Sequence, residues 1–484
     1  MPKITSLADD ALIAFDNVAD AASDLFSPTL RFGVTGLSRA GKTVFITSLV
    51  HNLIHGGRLP LFDAQASGRL ASAVLEPQPD DAVPRFRYEG HLEALLEERI
   101  WPQSTSTISE LRLKLKYESA SGWSRRFGAG ELTLDIIDYP GEWLLDLPLL
   151  GKTYEQWSGE ALALSELPGR IDLAAEWHTA LEGIDPNAEA NEGNARSLAK
   201  VFTGYLRACR ADKSALSTLP PGRFLMPGDL ENSPALTFSP LNIPEDTSPV
   251  SSSLHAMMAR RYESYKSVVV KPFFRDHFAR IDRQIVLVDA LQALNAGGAA
   301  VADLEIALSD ILACFNHGKR SWLTSLFSTR TDRILFAATK ADHLHHENHD
   351  RLEAILSRLV QRATERAQFG GAKTDVVAMA AVRATKEAEI TEGPETLPVI
   401  VGVPMAGETL GKQNFDGETR TAVFPGDLPE SPSAVLKPDR KAGDLKFLRF
   451  RPPALQKTAE GVTLSLPHIR LDRALEFLIG DYLA

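Results

Sequence analysis

Apolar residues along the chain recur in two patterns, and each pattern predicts a different kind of element. Continuous apolar runs at 30–36, 283–291, 332–342 and 374–382 are typical of strands buried on both faces of a parallel sheet. The run VFITSLVHNLI that follows residue 43 has helical spacing instead. Buried strands that alternate with helices predict an α/β core.

The remaining segments predict elements around this core. Two alternating runs at 110–119 and 131–141, joined by a Gly- and Ser-rich hinge, predict an antiparallel hairpin. An amphipathic pattern predicts a helix over 5–26, residues 57–100 are rich in loop signals, and 300–327 is helix-like. Beyond residue 390, short strand-like runs precede a helical pattern at the end.

These patterns predict a division of the chain into four parts. We expect an N-terminal helix (1–27), a discontinuous α/β domain (28–152 and 281–390), a helical insertion (153–280) and a small C-terminal α+β module (391–484).

The segment GLSRAGKT carries the strongest chemical signal, because it lies between a predicted strand and a predicted helix. Its glycines let successive backbone N–H groups point at a β-phosphate, Lys42 adds charge to the β/γ oxygens, and the Thr43 hydroxyl can ligate Mg²⁺. Arg39 could stabilise the negative charge that develops on the phosphates during nucleotide hydrolysis, or its side chain could point to solvent. We favour the second interpretation. The predicted phosphate-binding residues are Gly36, Ser38, Arg39, Ala40, Gly41, Lys42, Thr43 and Val44.

The tetrapeptide Asp138-Tyr139-Pro140-Gly141 ends an apolar strand downstream of the P-loop. A carboxylate there can hold Mg²⁺ through water, and the Gly141 N–H can reach a γ-phosphate. Glu142 occupies the place where Ras-like proteins carry a water-orienting Gln. A carboxylate beside the γ-phosphate is electrostatically costly, so we expect slow intrinsic turnover.

Thr339-Lys340-Ala341-Asp342 ends another buried strand and resembles the guanine-reading element of GTPases. The Asp342 carboxylate can accept hydrogen bonds from two guanine donors that adenine lacks. Thr339 replaces the commoner Asn, and the next strand leads to Ala381 and Val382, in the place of a loop that offers N–H groups to the base. We also count His343, directly after Asp342, among the nucleotide-binding residues.

Two further groups are more ambiguous. Thr105 and Thr107 are candidates for the threonine that senses Mg²⁺, and ordinary turn residues are the equal alternative. Four histidines follow Asp342, and we interpret them as a solvated face in preference to a metal site. They are His343, His345, His346 and His349.

Composition narrows the function class. The net charge of −11 argues against a nucleic-acid binder. Two widely separated cysteines suit a reducing compartment, and the first 30 residues carry several aspartates and no signal-peptide pattern. We therefore expect a cytoplasmic protein.

Taken together, these segments resemble the YcjX-like family of bacterial P-loop GTPases linked to stress responses. The resemblance is carried by GLSRAGKTVFITSLV, WPQSTSTISELRL, LDIIDYPGEWLLDLPLL, ILFAATKADH and PHIRLDRALEFL. It implies a Ras-like G domain with a helical insertion and a C-terminal addition, Mg²⁺-dependent hydrolysis of GTP to GDP, and a membrane-associated stress partner that would bring the protein to the inner membrane.

The sequence leaves a rival interpretation open. The chain could be an ATPase, or a scaffold stabilised by nucleotide that acts at a membrane through basic residues of the insertion. A solvated helix face is the plainer interpretation of those residues, which are Arg260, Arg261, Lys266, Lys271, Arg275, Arg280 and Arg283. Similarly, the apolar stretch 143–150 either packs on the insertion, which we favour, or forms an effector surface. Nothing in the sequence fixes the oligomeric state.

Overall fold

The computed structural model describes residues 28–36, 40–103, 107–120, 130–212, 220–231, 233–243, 249–313, 331–369, 371–392, 395–437, 445–455 and 465–484. The helix predicted over 5–26 lies outside these residues, as do Ser38, Arg39 and Thr105.

A seven-stranded sheet forms the centre, in the order β2-β3-β4-β1-β5-β6-β7. Its strands are β1 (Thr29–Gly36), β2 (Leu70–Glu76), β3 (Ser109–Tyr117), β4 (Gly130–Asp138), β5 (Arg283–Val288), β6 (Arg333–Ala338) and β7 (Lys373–Ala378). Neighbours from β4 to β7 pair in parallel, whereas β2, β3 and β4 pair antiparallel. The predicted hairpin and buried parallel strands are therefore confirmed, and the loop-rich range 57–100 also contains edge strand β2, which the sequence did not predict.

Helices connect and cover the strands. They are α1 (Lys42–Ile54), α2 (Asp63–Ala66), α3 (Tyr88–Glu93), α4 (Tyr154–Ser165), α5 (Ile171–Glu182), α6 (Glu192–Ala211), α7 (Leu254–Tyr265), α8 (Lys271–Asp276), α9 (Ala290–Ala296), α10 (Gly298–Ala313), α11 (His349–Leu359), α12 (Gln361–Phe369) and α13 (Leu471–Ile479). No helix within these parts of the chain is both long enough and apolar enough to cross a lipid bilayer.

The two faces of the sheet belong to different apolar clusters, because side chains alternate along each strand. In β5, Ile285 and Leu287 join α1 and α13 in one cluster, while Val286 and Val288 join the helices of the 153–280 region in the other. The long insertion thus covers one face of the sheet, and the P-loop helix and α13 cover the opposite face.

The residues after β7 form a small β module and also pack against the rest of the molecule. Strands β8 (Lys386–Glu392), β9 (Glu395–Gly402) and β12 (Thr421–Val423) form a small antiparallel sheet, and β10 (Thr409–Leu410) pairs with β11 (Gln413–Asn414). A separate apolar cluster of Ile400, Phe415, Val423, Leu448 and Phe450 holds this small β module together. Helix α13 packs instead on the central sheet, and Leu428, Val435 and Leu445 join the cluster of the insertion helices, so the predicted range 391–484 contributes to three apolar clusters.

The segment Gly141–Gly151 forms a 3-10 helix whose apolar side chains are buried. Trp143, Leu144, Leu145, Leu147, Leu149 and Leu150 share one cluster with the insertion helices. The favoured interpretation, packing on the insertion, is confirmed, and these side chains present no exposed apolar surface.

Candidate nucleotide-binding site

The carboxyl ends of the parallel strands lie at one edge of the sheet, and a pocket opens there. It is lined by residues 40–45 after β1, by Thr339, Lys340, Asp342 and His343 after β6, and by residues 379–382 after β7. Leu287 of β5 lies between these groups. The structure thus brings together the two motifs that the sequence places about 300 residues apart, as expected at this edge of an open α/β sheet.

The backbone around the P-loop depends on two glycines. A side chain at Gly36 would place its Cβ 2.7 Å from the carbonyl oxygen of Leu287, so β1 could not approach β5 as closely. Gly41, at the start of α1, has φ of 85°, in the left-handed region that favours glycine. These positions let the chain turn directly from β1 into α1.

Lys42 and Thr43 begin α1 and are both buried. The Lys42 ammonium donates to the Gly36 carbonyl at 3.3 Å, and the Thr43 hydroxyl donates to the Gln103 carbonyl at 3.4 Å. The second hydrogen bond uses the hydroxyl proton and leaves oxygen lone pairs that a cation could use.

Asp138 and Gly141 lie beside the P-loop strand and are not among the residues that line the pocket within the described chain. Asp138 ends β4, opposite Val34 of β1, and is buried. The next residue, Tyr139, donates its hydroxyl to the Gln284 side chain at 3.0 Å and packs edge-on against Phe273 of α8. This turn is therefore fixed between the sheet and the insertion.

Glu142 faces the insertion. Its carboxylate is 3.1 Å from the Arg210 guanidinium of α6, and the residue is buried. The sequence made Glu142 a candidate for orienting water in the pocket. Within the described part of the chain, however, Glu142 does not line the pocket. Thr107 is half-buried just before β3 and does not line the pocket either.

The loop after β6 is held by polar contacts with the end of β5. Thr339 donates its hydroxyl to the Val288 carbonyl at 3.4 Å, and Lys340 forms an ion pair with Asp289. Lys340 has φ of 62°, an unusual conformation for a residue with a side chain, and the ion pair helps to hold it there. Asp289, directly after β5, was missed by the sequence analysis, although its place at a strand end was a usable signal.

Asp342 is buried in the pocket wall, and its Oδ2 accepts the Ala384 N–H at 2.9 Å. Burial lowers the pKa of the neighbouring His343, which keeps that ring neutral near pH 7. The loop after β7 is anchored as well: the Ala380 N–H donates to the Ile469 carbonyl at 3.0 Å, and the Ser48 hydroxyl of α1 donates to the Ala381 carbonyl at 2.6 Å.

The other histidines differ from the expected solvated face. His345 and His349 are buried, and only His346 is exposed, where it contacts Glu387 at 2.9 Å. The interpretation as a solvated face is therefore wrong for two of them. His345, His346 and Glu347 bring possible ligand atoms within 4.8 Å of one another, outside the pocket.

Acidic partners neutralise much of the predicted basic stripe. Arg261 pairs with Glu192, Lys266 with Glu263, and Arg275 with Asp276. Arg283 lies in β5, where it is buried and pairs with Asp332 and Asp481.

Comparison with known proteins decides the family. Residues 30–483 match the YcjX-like family, DUF463. The chain belongs to the YcjX-like family. A relative named Ras-like GTPase YcjX from Escherichia coli (strain K12) is 39% identical, over 94% of this chain and 96% of that protein. Another of the same name, from Shewanella oneidensis, is 35% identical over 94% of each chain. The resemblance and the α/β P-loop fold predicted from the sequence are confirmed.

In this YcjX-like chain, part of the pocket is lined by residues that belong to none of the nucleotide-binding motifs found in the sequence. They are formed by Trp101 and Pro102 before β3, by Met379, and by Arg449 and Phe450 of the small β module. Trp101 belongs to a segment that carries the family resemblance, whereas Arg449 and Phe450 reach the pocket only through tertiary packing.

Proposed function

We propose that this YcjX-like chain binds GTP with Mg²⁺, hydrolyses it slowly to GDP, and acts as a nucleotide-dependent switch in a bacterial stress response. The observation that carries the proposal is the pocket itself. Lys42 and Thr43 line it together with Thr339 and Asp342, so groups suited to phosphates and to guanine face one space.

At the phosphate end, Lys42 would neutralise the β/γ oxygens, and the N–H groups of residues 40–44 at the start of α1 would donate to them. The Thr43 hydroxyl lines the pocket and would ligate Mg²⁺ directly, whereas the Asp138 carboxylate does not line it and would hold the ion through water. Both are hard oxygen donors of the kind that Mg²⁺ prefers, so the residues present fit this ion. Bound Mg²⁺ would supply charge that stabilises the transferring phosphoryl group.

At the base end, the buried Asp342 carboxylate would accept hydrogen bonds from the guanine N1–H and exocyclic amine. The Ala380 N–H is already bound to Ile469, so the N–H groups of Ala381 and Val382 are our candidates for the guanine oxygen. The neutral ring of His343 would line the same end.

The ion pair between Glu142 and Arg210 supports slow turnover. While this carboxylate is engaged with α6, it cannot also orient an attacking water at the γ-phosphate. Hydrolysis would become faster if Glu142 left Arg210 or if another catalytic group entered the pocket.

Side-by-side titration with GTP and ATP tests the base assignment. Adenine would leave Asp342 without its charged hydrogen bonds, each worth about 1.5 to 3 kcal/mol, so GTP should bind at least ~10-fold more tightly. Asp342→Asn should weaken GTP and strengthen xanthosine triphosphate, whose ring has a carbonyl in place of the amine. Equal affinities for GTP and ATP, unchanged in the variant, would refute GTP specificity.

The phosphate end has an independent test. Lys42→Ala should lower GTP affinity at least ~10-fold, about 1.4 kcal/mol, because it removes the charge aimed at the phosphates. Lys412→Ala, at an exposed lysine of the small β module, is the matched control and should bind as the wild type does. If a folded Lys42→Ala variant keeps full affinity, the phosphate assignment fails.

The burial of Gly141–Gly151 favours one alternative, a scaffold that nucleotide stabilises without switching. This segment would have to move for a switch, and the insertion packs around its apolar side chains. The membrane-associated stress partner and the peripheral location at the inner membrane stay predictions that the family resemblance implies.

A further inference from the structure

The pocket has an outer wall built from two segments that lie far from each other in sequence. Residues 101–102 approach it from before β3, and residues 449–450 approach it from the small β module. The Trp101 indole N–H donates to the Phe450 carbonyl at 2.6 Å, which joins the two segments directly. Nearby, the Arg99 guanidinium donates to the Pro452 carbonyl at 3.1 Å.

The small β module holds its half of this wall rigidly. The Met405 N–H donates to the Arg449 carbonyl at 2.7 Å, and the Arg451 N–H donates to the Val403 carbonyl at 2.8 Å. The Phe450 ring is buried and meets the His343 ring edge-on, with 5.6 Å between ring centroids. A side chain at Gly402 would collide with this ring at 2.5 Å, so the ring has one defined place.

Arg449 is the charged part of the wall. Its side chain is 73% exposed although it lines the pocket, and Glu408 orients the guanidinium through a contact of 2.6 Å to Nε. Guanidinium N–H groups beyond those bound to Glu408 can reach an anionic or aromatic ligand in the pocket. Glu408 therefore engages Nε and one terminal nitrogen, Nη2, which leaves the other terminal nitrogen, Nη1, to contact a ligand.

The other half of the wall is tied to the P-loop. Gln103 lies two residues after Trp101, and its backbone carbonyl accepts a hydrogen bond from the Thr43 hydroxyl. A continuous set of contacts therefore runs from the start of α1, through residues 101–103, to the small β module.

We propose that Arg449 contacts the bound nucleotide, and that Trp101 is a positioning residue that fixes the 449–450 segment as the wall retaining it. This inference rests on the proposed nucleotide-binding function. The contact of Arg449 with the nucleotide would exist only in the bound complex, so it would slow release without being needed for the first encounter. Its loss should therefore raise the dissociation rate more than it lowers the association rate.

The test measures stopped-flow association and dissociation of GDP labelled with a fluorescent group on the ribose. Arg449→Ala removes the cation, and Trp101→Phe keeps an aromatic ring but removes the N–H donor. Each variant should release GDP at least ~5-fold faster, with association changed less than about 2-fold. Arg420→Ala, an exposed arginine of the same module that does not line the pocket, should behave as the wild type does.

The outcomes separate the two proposals. If wild-type protein does not bind GDP, the proposed function itself fails. If it binds and either variant releases GDP at the wild-type rate, or Arg420→Ala accelerates release equally, the wall is refuted while nucleotide binding stands. Circular dichroism of each variant checks that the fold is intact, and the two substitutions lie in different segments, so misfolding of one leaves the other as a test.

Discussion

Asp146 is a carboxylate buried where the Gly141–Gly151 helix meets the insertion. Its Oδ2 accepts the Tyr265 hydroxyl at 2.6 Å, and its Oδ1 accepts the Gly222 N–H at 2.6 Å. Burial nevertheless raises the pKa of Asp146 from 3.8 to about 6. The folded state therefore holds this proton more tightly than the unfolded chain does.

This pKa shift predicts how stability depends on pH. The stabilisation from the bound proton is fully present below pH 3.8 and is lost as the pH rises through about 6. Relative to Asp146→Asn, the wild type should lose on the order of 3 kcal/mol of unfolding free energy between pH 4 and pH 7.5. Urea unfolding of both proteins across this range measures the difference.

Asp172→Asn is the control, because Asp172 is exposed on α5. The loss of unfolding free energy between pH 4 and pH 7.5 should be clearly smaller when the wild type is compared with this variant than when it is compared with Asp146→Asn. A constant difference between wild type and Asp146→Asn across the range would mean that Asp146 does not hold its proton more tightly in the fold.

At the scale of single residues, local motifs marked several residues that the structure places in or beside the pocket. Gly36, Lys42 and Thr43 are specified by a short pattern between a strand and a helix, and Asp342 by its place after a strand. Arg449 was missed because no local pattern marks it: it reaches the pocket only through the pairing of residues 403–405 with 449–451.

Gly222 shows how closely the insertion is fitted to the Gly141–Gly151 helix. A Cβ on Gly222 would lie 1.8 Å from the Glu142 carbonyl oxygen, so one backbone would have to move away from the other. We expect Gly222→Ala to cost about 2 kcal/mol or more in unfolding free energy, because backbone atoms cannot swing aside as a flexible side chain can. Chemical denaturation measures this loss.

Gly204→Ala is a matched control on α6. Nothing lies within 4 Å of its added Cβ, and the residue is exposed, so alanine should be neutral or stabilise the helix by up to about 1 kcal/mol. If Gly222→Ala is as stable as Gly204→Ala, the insertion does not pack against Glu142 as tightly as the structure indicates.

At the scale of elements, the buried strands were predictable because their apolar runs are continuous. Strand β2 was not, because it is an edge strand with several exposed residues and is flanked by prolines and glycines that resemble loop signals. The Gly141–Gly151 helix contains Pro148, and its apolar residues fit either a buried segment or an exposed surface. Only the position of the insertion decides between them.

At the scale of the molecule, the packing around Gly141–Gly151 ties any switch to the insertion. If this segment responds to the γ-phosphate, the Glu142–Arg210 pair and the contact with Gly222 must change with it. Hydrogen exchange with GDP and with a non-hydrolysable GTP analogue should then differ over 141–151, over 220–224 and over the end of α6.

Exchange differences confined to residues 101–110 would contradict this coupling and leave the insertion as a static partner. Identical exchange with both nucleotides bound would favour the scaffold.

The division of the whole molecule into four parts stays a prediction. The sequence could indicate where the pattern of elements changes, since strand and helix patterns are local. It could not indicate that α13 returns to the central sheet, because that depends on contacts such as those of Leu475 and Leu478 with the cluster around β1 and α1.

The return of α13 has a consequence for synthesis on the ribosome. Asn52 of α1 exchanges hydrogen bonds with Leu466, and the Ile469 carbonyl accepts the Ala380 N–H, so residues 465–484 support α1 and the loop after β7, two elements whose residues line the pocket. These residues leave the exit tunnel after every strand of the central sheet. Until then the apolar surface of β1 and α1 that α13 covers is exposed on the nascent chain, and we expect chaperones to bind there.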